Sequence, residues 1–109
     1  MKTDDTRYMR ILVMFDLPTN TPEERHNAAK FRQFLIKDGY YMLQYSVYCR
    51  VCKGSDNTEK HIKRVTCHLP PAGSIRALEI TENQYNRMKL LIGPKKIAEQ
   101  IDERQLILL

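Results

Sequence analysis

An α+β domain built on one antiparallel sheet is the fold this chain predicts, on three observations. Its apolar runs and helical patterns follow the order strand, helix, strand, strand, helix, strand. The first run, Ile11-Leu12-Val13-Met14-Phe15, is continuously apolar, as a central strand covered on both faces would be. The two helical stretches carry their apolar residues on one side only, so each packs a single face against a sheet. That order is the split βαβ, ferredoxin-like pattern βαββαβ, here followed by an extra C-terminal strand.

The elements follow in turn. Residues 11–17 form the first strand, with Leu12, Met14 and Asp16 on one face and Ile11, Val13 and Phe15 on the other. Pro18 breaks it. Thr21 as N-cap, Pro22 at the first helical position and Glu24 at the third make a capping box. Ala28, Phe31, Phe34 and Leu35 continue as an apolar stripe, and Gly39 supplies the left-handed residue past the end, giving a helix over 21–38. Residues 40–51 are aromatic and β-branched, hence extended. A reversal at Gln44-Tyr45-Ser46 divides them into strands near 40–44 and 46–52. A second helix is expected after Gly54-Ser55-Asp56-Asn57, capped by Asp56 with Glu59 three residues on. Its inner face is Ile62, Val65, Thr66 and Leu69, and Pro70-Pro71-Ala72-Gly73 stops it. Ser74 to Ile80 is the next strand, Thr81 to Asn83 a turn, and Tyr85 to Ile92 a further strand candidate. Residues 95–104 are charged and read as a short helix or an irregular arm. Leu106-Ile107-Leu108-Leu109 add a strand to a sheet, in this chain or in a partner's.

The length of 109 residues suits one domain. It divides into a polar N-terminal extension over 1–8, the ferredoxin-like domain over 9–92, and a C-terminal arm and strand over 93–109 that reaches a partner protomer. The first strand implies that partner. It is central in this fold, and its Leu12 and Met14 side would face water, so a face-to-face homodimer is expected. At ~25 cal/mol per Å², a wet sheet face would forgo several kcal/mol.

Composition narrows the class of function. The net charge of +5 suits a polyanionic partner without proving one. No apolar stretch approaches the ~20 residues that span a bilayer, so no membrane partner is expected. The first eight residues are polar and include Asp4 and Asp5, unlike a secretory signal, and three cysteines fit a reducing compartment. A cytoplasmic protein is expected.

One residue stands out chemically. Asp16 closes a greasy strand on its open face. It either caps its own turn through the amides of Leu17 to Asn20 or does chemistry. Two copies across a two-fold axis could hold Mg²⁺ or another divalent cation, with waters completing an octahedral oxygen shell. Such an ion activates water and neutralises charge on a phosphodiester. Arg25, in the first turn of the first helix, sits where a cation is slightly unfavourable unless a phosphate lies near. Lys60, Lys63, Arg64 and Cys67 recur at helical spacing, and their cations form either a phosphate-tracking face or an ordinary solvated one. Cys49 and Cys52 resemble a zinc pair in spacing. On a strand, however, residues three apart point to opposite faces, so a buried Cys49 and a half-exposed Cys52 are expected instead.

These residues together match a known pattern. The chain resembles the CRISPR-associated protein 2 family, the small subunit of the spacer-acquisition machinery, and most of all members that accompany single-effector, Cas9-type systems. Three stretches carry the likeness: Ile11 to Pro18, ending Phe-Asp-Leu-Pro; Gln44-Tyr45-Ser46-Val47-Tyr48; and Thr81-Glu82-Asn83-Gln84-Tyr85, leading through Arg87-Met88 to Ile92-Gly93. The likeness spans about residues 9 to 109, and the eight residues before Met9 have no counterpart in it, which makes Met9 an alternative start. The resemblance implies a ferredoxin-like homodimer and an Mg²⁺-dependent endonuclease acting on RNA or DNA, with Asp16 as metal ligand and catalytic residue. It also implies a structural role in CRISPR adaptation, bridging two dimers of the CRISPR-associated protein 1 integrase on double-stranded protospacer DNA. Ser46 matches the family's serine after the second strand, where a turn role comes first. The alternative is a non-catalytic DNA-binding adaptor in which Asp16 is structural only. A plain RNA-binding sheet would need exposed aromatics where Leu12, Val13 and Met14 stand.

Overall fold

The computed structural model describes residues 8–94. These form β1 (Tyr8–Asp16), α1 (Pro22–Lys37), β2 (Tyr41–Gln44), β3 (Val47–Lys53), α2 (Ser55–Thr66), β4 (Ser74–Thr81) and α3 (Glu82–Asn86). The strands make one antiparallel sheet in the order β2-β3-β1-β4, the ferredoxin-like arrangement expected. The polar extension expected over 1–8 ends sooner, because Tyr8 is buried and opens β1 opposite Lys53; residues 1–7, the arm over 95–104 and the strand over 106–109 lie outside the described residues. Among the described residues no helix is long and apolar enough to cross a membrane.

β1 is central, and its alternation fixes everything around it. Ile11, Val13 and Phe15 point to the helix side, where they join Phe31 and Leu35 of α1, Tyr40, Tyr48 and Cys52, and Val65 of α2 in the main core. Phe15 anchors that core: it meets Phe31 edge-on at 5.3 Å and stacks on Tyr48 at 5.6 Å. Each fully buried side chain of this size contributes about 1.5–3 kcal/mol. α1 starts as the sequence dictates. Thr21 Oγ1 accepts from the Glu24 amide, Glu24 accepts in return from the Thr21 amide, and Pro22 sits at the start. The helix ends at Lys37, with Gly39 at φ 98°.

Four expectations need correction. α2 starts at Ser55 after Gly54, with no side-chain cap, so Asp56 lies inside its first turn. Its buried residues are Thr58, His61 and Val65, whereas Thr66 and Leu69 are exposed. The helix is rotated because Thr58 bonds Glu79 of β4 and His61 bonds the buried Asp38 at 2.8 Å, so polar pairs occupy positions that hydrophobic periodicity would fill with aliphatic residues. Cys52 is fully buried in the main core rather than half-exposed, and Cys49 lies on the other side of the sheet. Finally, the strand expected from Tyr85 is a helix, α3, opened by a second capping box between Thr81 and Gln84.

α3 also changes the reading of the open sheet face. Leu12 is only 8% exposed, because Tyr85 packs over it with Cys49, Tyr41, Leu43 and Ile80 around them. Arg10 locks this lid. Its side chain is buried, its Nε and Nη2 donate to Glu82 Oε1 and Oε2 at 2.7 and 2.9 Å, and its Nη1 donates to Tyr41 Oη at 2.7 Å. The guanidinium lies 3.8 Å over the Tyr85 ring. Burial alone would lower the pKa of Arg10, but the bonds and charges of Glu82 and Tyr41 outweigh it and hold the cation on. The sequence expectation of a wholly wet Leu12 and Met14 face is therefore corrected: the Leu12 end is covered within the chain, and only the Met14 end stays open.

Two outcomes follow from this architecture. Glu82→Ala, which strands the buried guanidinium, should cost about 3 kcal/mol in urea unfolding, and combining it with Arg10→Met should recover much of that loss. Burial pushes the Cys49 and Cys52 thiols up, and Cys67 is the exposed cysteine. Thiol titration of the native protein should therefore label Cys67 quickly, with Cys49 and Cys52 reacting only after denaturation.

Candidate functional site

The open end of the sheet is where β1 stops, and its backbone there is held from both sides. On the β3 side, the Phe15 amide donates to the Ser46 carbonyl at 3.1 Å. Ser46 itself adopts φ 64°, a left-handed turn position between β2 and β3. On the β4 side, Gly73 sits at φ 114°, and a Cβ there would fall 2.8 Å from the Asp16 carbonyl oxygen and 2.6 Å from Leu17 Cδ2. Only glycine allows this approach. The close contact sets where β4 begins, with Ser74 opposite Asp16 and Arg76 opposite Met14.

The Asp16 side chain, by contrast, is unconstrained. It is exposed, and among the described residues its carboxylate takes no hydrogen bond or ion pair. The capping alternative fails on the amides of its own loop. Those of Asn20 and Thr21 both donate to Glu24 Oε1, at 2.9 and 3.0 Å. What remains at the strand end is a fixed backbone presenting a free carboxylate on the open face.

The cations are distributed differently from one another. Arg25, in the first turn of α1, reaches back to the loop after Asp16, where its Nη1 donates to the Thr19 carbonyl at 3.1 Å. Lys60, Lys63 and Arg64 are exposed on α2, which packs on the helix side of the sheet through Val65. The sheet thus separates them from Asp16. Arg64 is also partly committed: its Nε lies 3.2 Å from Asp38 Oδ1, the carboxylate that His61 also engages. Asp38 was legible in the sequence only as a helix end. It is a buried junction whose carbonyl further accepts from Arg50 Nε at 2.7 Å.

One protomer does not complete a metal site among the described residues: no three His, Cys, Asp or Glu side chains converge. A lone free carboxylate offers at most two oxygens to an ion that takes six. The donor set fits a hard divalent cation only if a second carboxylate and waters join it. Arg76 of β4 shares the open face with Asp16, is exposed, and has no hydrogen bond or ion pair among the described residues. Sequence reading passed over it because the alternation of β4 is imperfect, although the register of Ser74, Arg76, Leu78 and Ile80 contains the signal.

Known proteins resemble this chain in sequence. The family model described as CRISPR associated protein Cas2 matches residues 9–88. A protein of Campylobacter jejuni named CRISPR-associated endoribonuclease Cas2 is 47% identical over 98 residues, 90% of this chain and 68% of that protein. Identically named proteins of Parvibaculum lavamentivorans and Ligilactobacillus salivarius are 47% and 46% identical, covering 81% and 92% of this chain and 87% and 100% of their own lengths. The matched span runs from the first strand through α3, and so takes in both the Arg10 lid and the Asp16 strand end. This chain belongs to the Cas2 family of CRISPR-associated proteins.

Proposed function

We propose that this protein is a CRISPR adaptation nuclease of the endoribonuclease type for which its relatives are named, acting on nucleic-acid phosphodiesters through Asp16. The observation that carries the reading is the free Asp16 carboxylate at the pinned end of the central strand. A structural aspartate would satisfy its own turn, whereas here the Asn20 and Thr21 amides go to Glu24. A second copy, docked on the open Met14 end of the sheet, brings a second Asp16 and supplies the donors that one protomer lacks. Exposed Leu78 and half-buried Met14 and Val47 give that end an apolar surface to bury.

In this dimer the two Asp16 carboxylates would hold Mg²⁺ or a similar hard cation. Such an ion supplies Lewis acidity toward phosphate oxygen and an activated water. The chain's own part is positional. Ser46 and Gly73 fix the backbone that carries each carboxylate, and Arg25, reaching back from α1 to the following loop, adds positive charge toward an approaching phosphate. Lys60 and Lys63, across the sheet, suit a longer polyanion that wraps to the helix side rather than the scissile bond. That division supports the wider role carried by the family resemblance, in which the dimer bridges two dimers of the CRISPR-associated protein 1 integrase on double-stranded DNA.

The adaptor reading, with no catalysis, draws on one observation: a protomer contributes a single acid and no further metal ligand among the described residues. Two measurements separate the readings. Asp16→Asn should abolish divalent-dependent cleavage of single-stranded RNA by the purified dimer, and cleavage persisting at the parent rate excludes Asp16 as the catalytic residue. In a spacer-integration assay, Asp16→Asn should leave integration largely intact, whereas deleting Leu106 to Leu109 should impair it. Integration lost in Asp16→Asn with the complex still assembled would make the nuclease step essential to adaptation.

A further inference from the structure

The helix side of the sheet carries a recess that has no part in the Asp16 end. It lies between α1 and the segment that follows α2, and its volume of about 500 Å³ is within the range of ligand sites. Its walls are partly apolar, with Phe31 and Phe34 on one side and Leu69, Pro70 and Pro71 on the other. Leu69 is 51% exposed, so its apolar surface serves no core in this chain. Lys30 and Lys37 stand on the α1 wall with Phe34 between them. Seven residues separate the two lysines, or about 10 Å along the helix axis. No Asp or Glu lines the recess, and among the described residues neither lysine has an ion pair.

The recess is held in shape. His68 stacks on Phe34 at 3.9 Å, and its Nδ1 donates to the Arg64 carbonyl at 2.8 Å. Phe31 is locked in the main core, and two consecutive prolines restrict the opposite wall. The recess also lies on the face covered by α1 and α2, opposite the one that carries Met14 and Asp16. A second copy docked on the Met14 end therefore leaves it accessible. Exposed lysines alone describe any solvated helix. Here they flank an apolar surface and lack an acidic neighbour, and that arrangement has a chemical complement: carboxylates on either side of an apolar side chain. A nucleic-acid backbone would neutralise Lys30 and Lys37 but leave Leu69 and Pro71 in water.

We propose that this recess docks an acidic peptide segment of a partner protein, seating an apolar side chain between Phe34 and Leu69 and pairing the flanking carboxylates with Lys30 and Lys37. The probe is a fluorescein-labelled nonapeptide with two glutamates flanking a leucine in a glycine–serine background. Its binding to the full-length protein is followed by anisotropy at low salt. The double variant Lys30→Gln with Lys37→Gln should weaken binding about tenfold, and Leu69→Ser about fivefold. Replacing both glutamates of the peptide by glutamine should cost as much as the lysine pair. Lys53→Gln, which removes an exposed charge outside the recess, should change nothing. Cys67 lines the recess and is exposed, so saturating peptide should slow its alkylation roughly threefold or more. Absence of peptide binding overturns the proposal, as does equal affinity for the lysine-pair variant and Lys53→Gln, or an unchanged Cys67 rate. Displacement of the peptide by single-stranded RNA that itself binds more weakly to the lysine-pair variant assigns the recess to nucleic acid and overturns it too. So does self-association beyond the dimer that Leu69→Ser abolishes, which would seat another copy of the chain there. Should Leu69→Ser unfold, the lysine pair and the Cys67 rate decide the matter without it.

Discussion

A strand in the middle of a sheet has two faces to keep from water, and β1 meets that constraint in two unlike ways. One face is covered conventionally, by α1 and α2 meeting over Ile11, Val13 and Phe15. The other is covered for half its length by a five-residue helix held down through a buried arginine. The lid stops short of the strand's end, and the uncovered half carries Met14 and Asp16. Where β1 is closed, the molecule has a core; where it is open, it has a candidate site and the surface on which we propose a second copy docks.

The Arg10 lid is a demanding solution. A guanidinium taken fully out of water is tolerated only when its donors are satisfied and its charge is balanced. Glu82 provides the fork, Tyr41 a further acceptor, and Tyr85 an aromatic face. These partners come from β2 and α3, far apart in sequence, so the network also ties the chain's last described helix to its first strand. Its position next to Leu12 explains why the second, smaller core exists at all. The same closure leaves uncovered only the half of the face that carries Asp16.

Around Asp16 the structure separates backbone from side chain. Ser46 and Gly73, both at positive φ, bring β3 and β4 tightly against the strand end, and neither touches the carboxylate. The Asn20 and Thr21 amides of the following loop are taken by Glu24 instead. A rigid scaffold with unspent oxygens suits the ion-binding role proposed for Asp16.

Local chemistry was enough to read much of this from the chain. The capping box at Thr21, the break at Pro18, the reversal at Ser46 and the two-sided apolar run of β1 are all decided within a few residues, and the order of elements then leaves one sheet topology. Asp16 was conspicuous because a carboxylate ending such a run has no local reason to be there. Tertiary structure alone decided the rest. The Thr81 and Gln84 capping box signals α3 locally, but where that helix lies, with Tyr85 over Leu12, depends on a buried Arg10 seventy-five positions away from Tyr85. The rotation of α2 depends on Asp38 and Glu79 accepting bonds from it. The companionship of Asp16 and Arg76 depends on register, and register is set by contacts between strands rather than by either strand's own pattern.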